Sequence, residues 1–275
     1  FWFYLWKTRK DALWFNTSRY SRLYRNALLA YLVLAISSTV LTNSRSGMLA
    51  MMLFVLLTVI GGKGFKAKVL FPVGGILFLM LVWAVMPEEN RSRLRTVWDP
   101  ESGPANAEAS AQGRIDGFKA GIAMYKRFPI SGVGLGNYIQ YRAEHIDGVA
   151  LNAHSLAGQI LGETGSVGIA AFSFLFLTIL LNSFLVRNPS GIVIHPETLG
   201  LKQLATACRH SLFILFFEGL FGHNMTRYNW LWIAAFVLSA LTLSRNRSKE
   251  EQDSGLNRAN ALHANDEHPH ILSLG

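Results

Sequence analysis

The chain has 275 residues, is 51% hydrophobic, carries a net charge of +9 and contains one cysteine. Its apolar residues gather into runs approaching the ~20 residues that cross a bilayer, which excludes an ordinary soluble domain. The lone Cys208 excludes an intrachain disulfide and a CxxC metal site. The basic residues flank apolar runs and form no aromatic-interleaved patch, which argues against a nucleic-acid partner.

Phe1–Trp6 reads as the tail of a helix that starts upstream, and no signal-peptide pattern opens the chain. Lys7 to Arg25 is a basic collar, with Trp14, Tyr20 and Tyr24 suited to a membrane interface. Ala27–Leu41 is the first apolar run, Thr42–Gly47 a polar break and Met48–Ile60 a second, short run. Gly61–Lys68 is a tight basic turn, and Val69–Met86 is the third run. From Pro87 to about Ala153 the chain is polar, with a Gly/Pro/Ala-rich centre, and segments of that length are functional or disordered. Within it, Ile115, Phe118, Ile122 and Tyr125 recur at helical spacing and predict an amphipathic helix over Ile115–Phe128. Ser166–Val186 is the clearest span. After a basic connector, Arg187–Arg209, come Ser211–Phe221 and Trp230–Leu243, two shorter runs that read as two spans or a re-entrant pair. The polar stretch from Ser244 onward reads as disordered.

Four regions follow. Residues 1–86 hold about three spans, 87–165 form a large loop with amphipathic helices, 166–243 hold about three more spans, and 244–275 are a disordered cytoplasmic tail. With the first collar in the cytoplasm, alternation places most of the 26 Lys and Arg residues on that side. The same alternation puts Ser44-Arg45-Ser46, the long loop, His154 and His223 together on the opposite face.

That shared face selects the candidates for chemistry. Arg45 sits at a membrane-level break, where an ionisable side chain is a site candidate and a snorkelling charge the alternative. An arginine's planar fork suits phosphate. Arg114 opens the amphipathic helix, and its plain reading is a solvated charge. Arg91, Arg93 and Arg95 read as headgroup contacts, and Arg142 stays ambiguous. His154, between Asn152 and Ser155 at a loop–helix junction, has the near-neutral pKa that general-base work on a hydroxyl needs, although a lone loop histidine is more often structural. Gly132-Val-Gly-Leu-Gly136 lacks the Lys-Ser/Thr of a phosphate loop and reads as a turn after Pro129. Glu144, His145, His154 and Glu163 do not have zinc-ligand spacing.

His154-Ser155, nine residues, then Gly165-Ser-Val-Gly168 resembles the loop signature of the bacterial O-antigen ligase family. Thr42–Gly47 resembles its Ser-Arg-small segment. Gly113-Arg114, an aromatic at Phe118 (often Trp in the family), Pro129, Gly132, Gly134 and Gly136 resemble its loop arginine and following Pro/Gly-rich stretch. The resemblance runs from about Ala27 to Phe236. It implies an all-α polytopic membrane protein, a glycosyltransferase class C-like helical bundle with a large periplasmic loop between the third and fourth spans seen here. It implies an enzyme of the bacterial inner membrane, with its active site on the periplasmic face. That enzyme would move an O-antigen-type polysaccharide from undecaprenyl diphosphate to a sugar hydroxyl of lipid A-core, inverting the anomeric carbon without metal or cofactor. On that reading His154 is the general base, Arg45 and Arg114 bind the diphosphate, and Arg142, Glu163 and Ser155 are supporting candidates. The nearest rivals are O-antigen or exopolysaccharide polymerases and protein O-oligosaccharyltransferases of the same superfamily. A rival of another class is a non-catalytic transporter or lipid-binding protein, for which Glu218, the one intramembrane acid, is the motivating residue.

Overall fold

The computed structural model describes residues 21–42, 44–61, 88–95, 105–186, 196–222 and 224–266, with isolated positions between 69 and 84. At some of these positions, residue 45 among them, it describes only the backbone. The first collar over residues 1–20, the basic turn at Lys63–Lys68, most of the third apolar run and His223 lie outside the described residues.

All regular structure among the described residues is helical: α1 Ser21–Leu41, α2 Arg45–Gly61, α3 Glu88–Arg95, α4 Ala105–Arg127, α5 Tyr138–His145, α6 Leu156–Leu185, α7 Pro196–Gly219 and α8 Asn229–Asp266. The break between α1 and α2 comes from local capping. Ser44 Oγ accepts from Gly47 N at 3.2 Å and so begins a new helix where α1 ends.

Three helices form the main core. Leu156, Ile160 and Ile179 of α6 meet Cys208 and Leu212 of α7 and Trp230, Ile233 and Val237 of α8. Phe172 packs edge-on against Trp230, with ring centroids 5.0 Å apart. The α7–α8 turn is closed by Asn224, whose Nδ2 donates to the Leu215 carbonyl while its own carbonyl accepts from Trp230 Nε1, both at 2.8 Å. A second, smaller core lies in the polar region, where Ala120 and Met124 of α4 pack with Tyr138 of α5 and Ala153.

The outside of the helical bundle is apolar. Phe174, Leu177, Leu181 and Phe184 of α6, Leu231, Trp232 and Leu238 of α8, and Met52, Leu56 and Ile60 of α2 are all exposed. An apolar exterior of this extent marks an interaction surface, and lipid is the partner that suits helices apolar on their outer face. Among the described residues α6 is the one helix long and apolar enough to cross a membrane, while Asn26–Thr39 and Ser46–Gly61 are shorter apolar stretches.

Three expectations need correction. The amphipathic helix begins at Ala105 and not at Ile115. Its first turns are rich in alanine, which favours helix without any apolar periodicity to announce it. The stretch read as disordered from Ser244 is helical to Asp266. Ser244 is buried, the preceding turn packs Ala240 and Leu241 against Val186 and Ala205, and the following residues are mostly good helix formers. Arg91 is a cap: its Nε and Nη2 donate to the carbonyls of Trp83 and Ala84 at 2.9 and 2.8 Å, and Glu88 pairs with it at 3.4 Å.

Candidate active site at the mouth of α6

The centre of the site is a break in α6. Gly165 has φ 59° and ψ −151°, so the helix stops and restarts there. Four main-chain groups flanking the break are taken up by the loop after α4. Ser166 N donates to Pro129 O at 2.8 Å and Val167 N to Ile130 O at 3.2 Å, while Gly162 O and Glu163 O accept from Val133 N and Gly134 N at 2.8 and 2.9 Å. The loop is therefore a plug that replaces the missing helical hydrogen bonds. Glycine is required on both sides. A Cβ at Gly165 would lie 2.6 Å from Ile130 O, and one at Gly132 would overlap the Glu163–Thr164 peptide. Gly168 fits against Thr164, whose hydroxyl is turned back to Ile160 O at 2.7 Å. Ser166 Oγ adds a bond to Pro129 O at 2.7 Å and meets Tyr125 Oη at 3.0 Å.

Ahead of the break, nine residues of helix run back to Ser155. Ser155 is the N-cap, accepting from Gly158 N at 3.3 Å. That assigns its hydroxyl to capping. His154, immediately before it, has φ 48° and is the only non-glycine residue with positive φ among the described residues. A left-handed backbone costs an L-residue about 1–2 kcal/mol. Surroundings that hold a half-buried histidine in such a state fix its direction, as functional positions require.

Helix α4 lies across this segment. Gly117 packs against the Ala153 carbonyl and Gly121 against that of Gly158, a seam that only small residues permit. Arg114 is one turn ahead of Gly117 on the same face, which places it beside the chain that enters His154. Its guanidinium lies 5.8 Å from the centre of the Phe221 ring, just past the end of α7. Gly219 of α7 abuts Leu156, two residues after His154. Glu218 of the same turn lies beside Ser46 in the first turn of α2, and Ser46 Oγ is 3.1 Å from Ser44 Oγ. The first turn of α2, the α4 seam, the start of α6 and the end of α7 thus converge at one end of the apolar helix. Arg45 is the first residue of α2 in this convergence, and its backbone alone is described.

Arg142 and Glu163 are both buried. Arg142 is 2% exposed and binds Asp147 through two groups, Nη2 to Oδ2 at 2.7 Å and Nε to both carboxylate oxygens at 3.0 and 3.1 Å. The pairing holds the Asp147 carboxyl below the usual carboxylate range and raises Arg142 further, the hydrogen bond being the main cause for each. Asp147 also accepts from Val149 N at 3.1 Å, so the pair anchors the start of the segment leading to His154. Tyr138, one turn before Arg142, donates its hydroxyl to Gly117 O, and burial pushes its pKa up to about 12. Glu163 is buried under the plug, with its carboxylate accepting from Gln159 Nε2 at 3.4 Å. Among the described residues no group of His, Cys, Asp and Glu side chains is arranged to hold a metal ion.

Phe221 lies against this cluster although the sequence did not single it out, and Glu218 and Ser46 lie in it although neither was a candidate for the diphosphate or the base. The signal available was the single acid of Phe217-Glu-Gly219 inside an apolar run, which suggested an intramembrane acid but not its neighbours.

Fold and site together define an all-helical protein with an apolar spanning helix and a polar, arginine- and histidine-bearing site at that helix's mouth. The family model described as O-antigen ligase matches residues 30–173, more than half of the chain, and the chain belongs to that family. The matched stretch includes Arg45, Arg114, His154, the Gly165 break and the plug that fills it. No curated protein and no solved structure matches the chain. The family consists of membrane-integral, glycosyltransferase-like enzymes, and the chain is a transferase of that general kind.

Proposed function

We propose that this protein transfers a glycan from a lipid diphosphate to an acceptor hydroxyl at the membrane surface. The donor is an O-antigen-type polysaccharide on undecaprenyl diphosphate, and the acceptor is a sugar hydroxyl of lipid A-core. His154 takes the proton of the acceptor hydroxyl as its oxygen bonds to the anomeric carbon. The lipid diphosphate leaves with the electron pair of the broken C–O bond, and the configuration inverts. Arg114 and Arg45 bind the diphosphate and stabilise its growing charge. The leaving group is already activated, so neither metal nor cofactor has a step to perform. The protein is polytopic in the bacterial inner membrane, with this site on the periplasmic face.

The observation that carries this reading is the convergence of Arg114, the strained His154 and the first turn of α2 at the mouth of α6. The transport alternative needs a charge in mid-span. Glu218 is instead the penultimate residue of α7, beside Ser46 at a helix end. The polymerase and protein-transferase alternatives use the same chemistry on another acceptor.

Purified protein with undecaprenyl-diphosphate glycan and lipid A-core, analysed by mass spectrometry, tests the activity. We expect His154→Ala to lose transfer while retaining donor binding, and Arg114→Ala and Arg45→Ala to lose donor binding. Wild-type transfer by His154→Ala would remove the base. Unchanged binding in both arginine variants would remove their role. Transfer to a second lipid-linked glycan or to a protein hydroxyl, but not to lipid A-core, would reassign the acceptor.

A further inference from the structure

The plug loop has two opposed sides. Its main chain faces inward and is spent on the α6 break, and Gly132 at its centre is buried. Its large side chains face outward. Ile130 is 71% exposed and Leu135 67%, and Phe128 before them and Ile139 after them are exposed as well. A loop tip in water carries polar residues at such positions, so a cluster of bare branched and aromatic side chains calls for an apolar partner.

The hydrogen bonds fix the level of this cluster. Val167 N donates to Ile130 O, so Ile130 is level with the first turn of the apolar half of α6, where Val167 and Ile169 are also exposed. The outward cluster is therefore continuous with the lipid-facing surface of the one helix that is long and apolar enough to span. Lys126 and Arg127, both exposed, immediately precede it, with Arg127 Nη1 reaching Tyr141 Oη at 3.3 Å. An apolar tip bordered by cations fits the boundary between acyl chains and lipid phosphates.

We propose that residues 128–135 form a wedge seated in the bilayer leaflet that α6 enters, with Ile130 and Leu135 among the upper acyl chains and Lys126 and Arg127 at the phosphates. Because the same loop supplies the hydrogen bonds of the α6 break, the wedge fixes the depth of the helix start that carries Ser155 and His154. It holds that start at the level where a lipid-linked diphosphate lies. The wedge rests on the family's residence in the membrane and not on the roles proposed for His154 and the arginines.

The test reads depth and not activity, so its failure is distinct from failure of the chemistry. Cys208, the one native thiol, is buried, so a nitroxide can be placed on Ile130→Cys, Leu135→Cys or Gln140→Cys in the otherwise native chain. Each labelled protein is reconstituted into phosphatidylethanolamine–phosphatidylglycerol vesicles, and collision with dissolved oxygen is compared with collision with a water-soluble nickel chelate. At 130 and 135 oxygen collision should exceed nickel collision severalfold, with the order reversed at exposed Gln140. Nickel exceeding oxygen at 130 and 135 would put the loop in water and overturn the proposal. Weak collision with both reagents would mean that protein covers the cluster, and would overturn it equally.

Discussion

Replacing Gly165 with alanine probes the device on which the site depends. At φ 59° and ψ −151°, a region essentially reserved for glycine, an alanine costs about 1–3 kcal/mol from backbone strain alone. Its Cβ would also lie 2.6 Å from Ile130 O and 2.7 Å from Gly132 N, both backbone atoms with no rotamer to change. The loop must then retreat, and the plug's four main-chain hydrogen bonds are each worth about 0.5–1.5 kcal/mol net. Losing half of them adds about 2 kcal/mol, for a total of about 3–5 kcal/mol. Gly148→Ala isolates the strain, since Gly148 has φ 76° with nothing within 4 Å of a Cβ. For a chain of this size 1 kcal/mol moves Tm by about 2–4 °C. Gly148→Ala should therefore fall by about 3 °C and Gly165→Ala by about 10 °C. The assay is unfolding in detergent followed by a thiol-reactive fluorophore, because buried Cys208 sits in the α6–α7–α8 core and reacts when that core opens. Equal shifts in the two variants would show that the plug does not hold the break.

Two further outcomes follow from the pair that anchors the His154 segment. Asp147→Asn should lower stability at neutral pH, and the deficit relative to wild type should close in acid. Asp147 has a depressed folded-state pKa, so its contribution is complete above its unfolded pKa of about 3.9 and is lost as pH falls through the folded value. Thermal melts at pH 7 and pH 3 check this, and a deficit of the same size at both would refute it. Tyr138→Phe removes the phenol's bond to the Gly117 carbonyl, which keeps its place in the α4 hydrogen-bond ladder, and should cost about 0.5–1.5 kcal/mol. Because Gly117 packs on Ala153, the same variant should lower transfer rate more than donor affinity, measured as separate kcat and KM.

The spanning half of α6 was legible as a continuous apolar run over Ser166–Val186, because length and composition alone mark a span. The break at Gly165 was not. A glycine inside a helical pattern signals a kink only when something takes up the freed hydrogen bonds, and here the acceptors and donors are some thirty residues away at Pro129–Gly134. Arg114 and His154 were each singled out, but the packing of their two elements depends on Gly117 and Gly121, which in sequence look like helix-weakening residues in a polar stretch. Arg142 stayed ambiguous in the sequence for a related reason. An arginine in a site-bearing loop resembles a ligand until its partner is known, and Asp147, five residues on, is engaged by both its Nε and Nη2.

The spacing of the His-Ser-x9-Gly-x-x-Gly stretch now has a mechanical meaning. Ser155 caps a helix and Gly165 breaks it, so the nine residues between them are a rigid rod of about two and a half turns, roughly 14 Å long. One end of the rod is held by the plug and its middle by the α4 seam, with Gly121 against Gly158. The other end is turned by the left-handed backbone of His154. Each added or deleted residue would rotate that end by about 100° and shift it by about 1.5 Å. The seam and the plug cannot both tolerate such a rotation, because both are contacts to backbone and not to adaptable side chains. A fixed spacing between cap and break follows from that geometry, and so does the choice of glycine over any other small residue at 165. The motif is therefore best understood as a ruler. It sets one histidine at a fixed height and azimuth at the start of α6, beside the end of α7 that Arg114 also approaches.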